Sequence, residues 1–135
     1  MVAKTVSGRI ISRGVAEGLV LLSKDPIGFL GGVDAKTGIV VEKGHALEGK
    51  SVAGKVLVFP HGKGSTVGSY VIYQLKKNGV APVAMVNEEA EVIIAVGAII
   101  SKIPLLDKLE KGAYAKLENG ARVRVDAEKG KLGVL

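Results

Sequence analysis

A histidine, a lysine, a serine and a threonine fall within six residues, His61 to Thr66, in the stretch FPHGKGSTVGSY from Phe59 to Tyr70. The apolar run before this stretch reads as a buried strand ending at Phe59, and the spacing after it predicts a helix starting at Ser65 or Thr66. A Ser or Thr at that N-cap satisfies an orphan backbone N–H of the first turn. The remaining first-turn N–H groups and the positive end of the helix dipole attract an anion. Gly62 and Gly64 let a ligand approach the backbone, and Lys63 adds a point charge. Ser65 is the candidate reactive group, with Lys63, Gly64 and Thr66 as candidate binding residues. The same residues equally describe a capped helix after a glycine turn.

Two nucleotide motifs are excluded. A P-loop needs Gly-Lys followed directly by Ser or Thr, with a further Gly five positions earlier; here Gly64 follows Lys63, and position 57 is Leu57. The dinucleotide fingerprint fails because Val67 stands at its third glycine. Ser65 as a nucleophile would need a base within hydrogen-bond reach. The sequence offers only His45 and His61, and Lys63-Gly64-Ser65-Thr66-Val67 is no nucleophile elbow. His45, in GHALEG, allows another reading, a phosphohistidine carrier with its His in a glycine-rich turn.

The secondary-structure elements flanking these residues are short. Thr5–Ile11 and Val15–Leu22 read as two strands joined by a tight turn at Ser12-Arg13-Gly14. Residues 23–38 form an irregular stretch with Phe29-Leu30 at its middle, long enough to suggest a functional loop. Ile39–Glu42, Lys55–Phe59, Val80–Val86, Ile103–Leu106 and Lys131–Leu135 read as strands, Pro82 suggesting an edge. Thr66–Asn78 carries Val67, Tyr70, Val71 and Leu75 at helical spacing, with Lys76 and Lys77 at the end that suits cations. Glu88–Ile94 suggests a short helix or turn. The apolar run Ile93–Lys102 fits strand or helix. Ala113–Glu118 and Ala121–Asp126 alternate around Asn119-Gly120, which predicts a hairpin. The expected class is α/β, β-rich and barrel-like, with one main helix after the glycine-rich loop, in a single domain over residues 1–135.

Composition narrows the function classes. The sequence has no cysteine, so it supplies no disulfide, thiolate nucleophile or thiolate metal ligand. Its formal charge is +6, which favours an anionic partner. Nucleic acid fits poorly: the charges are spread, aromatics are 4%, and there is no Trp. The longest apolar run, Val92–Ile100, falls well short of the roughly 20 residues of a spanning helix. The start, MVAKTVSGRI, lacks the pattern of a secretory leader. No membrane association and a cytoplasmic location are expected.

Three segments together carry a resemblance: FLGGVDAKTG (29–38), HALEGKSVAGKVLVFPHGKGSTVGSYVIYQLKKNGVAPVAMV (45–86) and VGAIISKIPLLD (96–107). In order and spacing they resemble the small subunit, or swivelling domain, of the aconitase X family. The most specific element is the G-[KR]-G-S-x-x-G-S pattern at Gly62–Ser69. His61 stands where many members have Ser, Ala46 where many have Pro, and Lys63 where others have Arg.

The resemblance implies a swivelling β/β/α fold and a hydro-lyase acting on a 3-hydroxy carboxylate. In the archaeal branch that reaction converts (R)-5-phosphomevalonate to trans-anhydromevalonate 5-phosphate, in a modified mevalonate pathway to isoprenoids. Other members dehydrate cis-3-hydroxyproline. Ser65 matches the family's proton acceptor. The resemblance also implies a heterodimer with a large subunit, whose cysteines hold an iron–sulfur cluster of the 4Fe–4S type. An isolated small chain is then expected to be inactive. A chain without Cys must borrow its cluster, and a substrate with a carboxylate and a phosphate suits a basic protein.

Overall fold

The structure is a computed structural model that describes residues 4–135; residues 1–3, part of the segment read for a leader, lie outside the described residues. Eight strands order as β1-β8-β7-β3-β4-β5-β6-β2. They are β1 (Lys4–Ser7), β2 (Arg9–Ser12), β3 (Val15–Leu22), β4 (Val56–Phe59), β5 (Ala84–Asn87), β6 (Leu105–Asp107), β7 (Arg122–Asp126) and β8 (Lys131–Val134). The long strand β3 serves two layers. Its first half, Val15 to Leu19, pairs antiparallel with β7, while Val20 to Leu22 pair parallel with β4. One layer is thus antiparallel (β1, β8, β7, β3). The other is parallel from β3 through β6, with β2 antiparallel at its edge.

Side-chain alternation divides the core in two. Val20, Val56, Val58, Val86 and Leu106 point between the layers, toward Val123, Val125 and Leu132 of the antiparallel sheet. Leu21, Leu57, Phe59, Met85 and Leu105 point the other way, onto a helical layer. That layer holds two ten-residue helices, α2 (Gly68–Lys77) and α3 (Val92–Ser101). Short turns, α1 (Phe29–Gly32) and α4 (Ala113–Lys116), complete the chain. This is a β/β/α arrangement, and only Gly8 separates the two edge strands β1 and β2 along the chain, so the sheet curls as a barrel does.

Several expectations are corrected in detail. Thr5–Ile11 is not one strand: it breaks at Gly8, where a Cβ would meet Leu109 Cδ2 at 2.6 Å and the Asp107 carbonyl oxygen at 3.1 Å. The turn at Ser12–Gly14 joins β2 and β3, which do not pair. Ile39–Glu42 makes only isolated bridges, Val33 with Val40 and Ile39 with Ser51. Pro82 lies before β5, and β5 is interior, between β4 and β6. The hairpin expected at Asn119-Gly120 is absent. Ala113–Lys116 is a helical turn, and Asn119 Oδ1 and Gly120 N–H bond to Leu22 and Val20 of β3 instead. The tight hairpin is β7–β8, where Asp126 Oδ1 accepts from Glu128 and Lys129 N–H groups.

The ambiguous run 93–102 is helical as far as Ser101, with Lys102 its left-handed C-cap, so the fold has a second main helix. Glu91 caps α3, its Oε1 accepting from Ile94 N–H and its Oε2 from Ile93 N–H, both at 2.9 Å. Gly97 lets α3 lie against α2; a Cβ there would meet Ile72 Cδ1 at 2.6 Å and Ser69 Cα at 3.2 Å.

Candidate active site

Ligands in parallel α/β sheets bind beyond the carboxyl ends of the strands. Here the loop after β4, residues 60–67, lies at that end, and the chain pins it on two sides. The His61 carbonyl accepts from Ile27 N–H at 3.2 Å, and Lys63 N–H donates to the Ile27 carbonyl at 3.0 Å. Gly62 is buried against α3, where a Cβ would lie 2.5 Å from both Glu91 Oε1 and Ile94 Cγ1. Gly64 has φ +86°, a conformation other residues adopt only with strain. The turn is therefore rigid on its inner side and open on its outer side.

Ser65 is exposed at the crest. Its Oγ accepts from Val67 N–H at 3.1 Å, and among the described residues it donates to nothing. Neither Ser65 nor Thr66 is the helix N-cap. That position is Val67, with no side-chain cap, and α2 starts at Gly68. A tight lead-in intervenes, in which Gly68 N–H donates to the Ser65 carbonyl at 3.0 Å and Ser69 N–H to the Thr66 carbonyl at 3.4 Å. The hydroxyl of Ser65 thus competes for an N–H one turn ahead of the regular helix, a local pattern typical of Ser. Gly64 and Thr66 flank it, both exposed.

Lys63 is held by Glu42, Nζ to Oε2 at 2.9 Å, with both side chains partly exposed. Glu42 arrives from the segment that reads as a strand in the sequence, and only tertiary folding shows its pairing. Glu91 is a residue the sequence does not single out; its contact with Gly62 joins the α3 cap to the serine turn.

The histidines stand apart from this chemistry. His45 is buried; its Nδ1 accepts from Leu47 N–H at 3.0 Å, so Nε2 carries the proton, facing the Pro26 carbonyl at 2.9 Å. Neither nitrogen is free to take a phosphoryl group. His61 turns its Nδ1 to the Gly62 carbonyl at 2.7 Å, and among the described residues no hydrogen bond joins it to Ser65.

A cavity of 410 Å³ opens at the same end, between Leu22, Lys24, Ala46, Pro60 and Tyr114. Ser65 is not on its wall. Among the described residues, no three His, Asp or Glu side chains gather as a metal-binding group.

The family model of the aconitase X swivel domain matches residues 5–134. The chain belongs to the aconitase X swivel-domain family. The resemblance carried by Gly62–Ser69 and its flanking segments is thereby shown. Among solved structures, a crystal structure of Thermococcus kodakaraensis aconitase X in its holo-form matches with a TM-score of 0.93. It is 53% identical, with 98% of this chain and 99% of that chain covered. A solution NMR structure of a UPF0107 protein matches with a TM-score of 0.90 and 48% identity, covering 98% and 99%. Relatives in this family include the phosphomevalonate dehydratase small subunit of Methanosarcina acetivorans, 66% identical over 96% of this chain and 90% of that protein. The corresponding Thermococcus kodakarensis protein is 55% identical over 96% of each. The β/β/α expectation agrees with these folds.

No described helix is long and apolar enough to cross a membrane.

Proposed function

We propose that this chain is the small subunit of a phosphomevalonate dehydratase, a hydro-lyase that takes (R)-5-phosphomevalonate to trans-anhydromevalonate 5-phosphate, with Ser65 as proton acceptor. The observation that carries the role of Ser65 is its hydroxyl: exposed, donating to no group among the described residues, and already receiving the Val67 N–H. The names of the relatives support the substrate.

Dehydration of a 3-hydroxy acid breaks a C–H bond beside the carboxylate and a C–O bond one carbon further on, releasing water. Serine is a poor base in water and serves only where its alkoxide is stabilised. The Val67 N–H bond persists to the alkoxide and strengthens there. The N-terminus of α2 adds its positive dipole end, and Lys63 supplies a cation two residues away. Lys63, Gly64 and Thr66 form the anion-binding turn, with Lys63 passing from Glu42 to the substrate.

The departing hydroxyl needs a Lewis acid. The donor set of this chain does not fit an iron–sulfur cluster, having no cysteine. The reading therefore assigns that cluster to cysteines of a large subunit, in a cytoplasmic heterodimer. Helix α3 supports such a partner. It has no charged residue, yet leaves Val92, Val96, Ile99 and Ile100 exposed along one face. A helix apolar all round belongs in a buried setting, and this one begins at the cap that touches Gly62.

The test is reconstitution with the large subunit encoded by the same organism. Dehydration of 5-phosphomevalonate by the pair, and by neither chain alone, supports the reading. Turnover of cis-3-hydroxyproline in its place refutes the substrate.

A further inference from the structure

The layer-on-layer core leaves a gap built from none of the elements that carry Ser65. Val6 of β1, Leu132 and Val134 of β8, and Ala113 and Leu117 at α4 wall a cavity of 280 Å³. It lies beside the edge strand β1 and the helical turn α4, and concave, mostly apolar hollows are where small ligands bind. Its walls are largely apolar, and an unfilled apolar gap forfeits the dispersion contacts its lining atoms could make.

Its rim is charged. Lys4 and Lys116 both border the cavity. The neighbouring Lys116 ammonium, a like charge, holds the Lys4 ammonium below its ordinary range. Among the described residues neither lysine has a carboxylate within 4.0 Å. Glu118 is the third charged residue on the rim, and Glu110 attracts Lys4 from further off. Two cations set against each other over an apolar hollow match one kind of molecule: a negative head that both ammoniums can grip, with a tail the hollow can bury.

We propose that this cavity binds an amphiphilic organic anion, a phosphate or carboxylate head on a short hydrocarbon chain, with Lys4 and Lys116 on the head and Val6, Leu132 and Val134 on the chain. It is a second ligand site, separate from the serine turn.

The test titrates the full chain with hexyl phosphate, hexanoate, hexanol and inorganic phosphate, read by calorimetry and by methyl NMR. Hexyl phosphate or hexanoate is expected to saturate a single site below about 1 mM. The shifts should fall on the Val6, Leu132 and Val134 methyls. Inorganic phosphate and hexanol should each bind at least about tenfold more weakly, and the K4Q/K116Q double variant should weaken the anion by a similar factor. Both lysines are exposed, so the variant keeps its fold. Which head wins identifies the ligand class. Absence of saturable binding, binding indifferent to the two lysines, or shifts confined to Val67 and its loop overturns the proposal.

Discussion

Gly62→Ala tests whether the serine turn is anchored from beneath. The added methyl lands 2.5 Å from Glu91 Oε1, 2.5 Å from Ile94 Cγ1 and 2.8 Å from Ile94 Cδ1. Glu91 cannot move without giving up its bonds to the Ile93 and Ile94 N–H groups. Loss of a helix cap costs about 1 kcal/mol. Overpacking a filled site against Ile94 costs about 1–3 kcal/mol. Together the expected loss is about 2–4 kcal/mol, or roughly 6–16 °C in Tm for a chain of this size. Gly64→Ala is the control. Its φ of +86° imposes strain, but its Cβ approaches nothing nearer than Gly28 Cα at 4.0 Å, so about 1–2 kcal/mol is expected. Urea unfolding of both variants, with thermal melts, supplies the comparison. A Gly62→Ala chain within about 0.5 kcal/mol of the parent, or less affected than Gly64→Ala, would show that Glu91 and Ile94 do not anchor the turn.

Other consequences are open to the same methods. Lys63→Gln should change stability by less than about 1 kcal/mol, since its partner Glu42 is a partly exposed ion pair. In the reconstituted enzyme it should lower kcat/KM about 10²-fold, through loss of the proposed anion clamp. Asp107 is fully buried and accepts from Arg9 Nε at 2.8 Å, Arg9 Nη2 at 2.7 Å and Ala90 N–H at 2.7 Å. Asp107→Ala should cost about 3 kcal/mol in denaturant unfolding, the low end for a broken buried pair because Arg9 is half-exposed. Tyr114 OH donates to the Asn87 carbonyl and accepts from Leu109 N–H; Tyr114→Phe should cost about 1–3 kcal/mol. Burial pushes the Tyr114 phenol above its ordinary value of 10. The unfolded phenol therefore ionises first as pH rises, and the stability present below pH 10 is lost above it. Stability-against-pH curves should show a shallower alkaline decline in the Phe variant.

The sequence made the parallel strands plain because both their faces are buried. VLVF and AMVN are unbroken apolar or buried runs, as interior parallel strands require. It made the serine turn plain because glycines and a periodic helix bracket it. What it hid was tertiary. Asn119-Gly120 carries a strong hairpin signal, yet Asn119 and Gly120 bond to β3, and the residues before them fold over the core as α4. Gly8 looks like an interior strand residue, although the close approach of Leu109 and Asp107 makes it the break between opposite sheet edges. Ser65 was legible as a residue of the turn between strand and helix but not as one ahead of the helix N-cap, because the lead-in bonds are backbone bonds that no side-chain preference announces. The pairing of Glu42 with Lys63 and the approach of Glu91 to Gly62 were illegible; the partners are 21 and 29 residues apart in the chain.

In the proposed reaction Ser65 takes the proton from the carbon beside the carboxylate. The reconstituted pair, run in deuterated water, should wash deuterium into the position beside the substrate carboxylate through reversible abstraction. Ser65→Ala should reduce that exchange and net dehydration together by at least about 10²-fold, with the two chains still co-eluting. Exchange and turnover at the parental rate in the Ala variant would contradict the account.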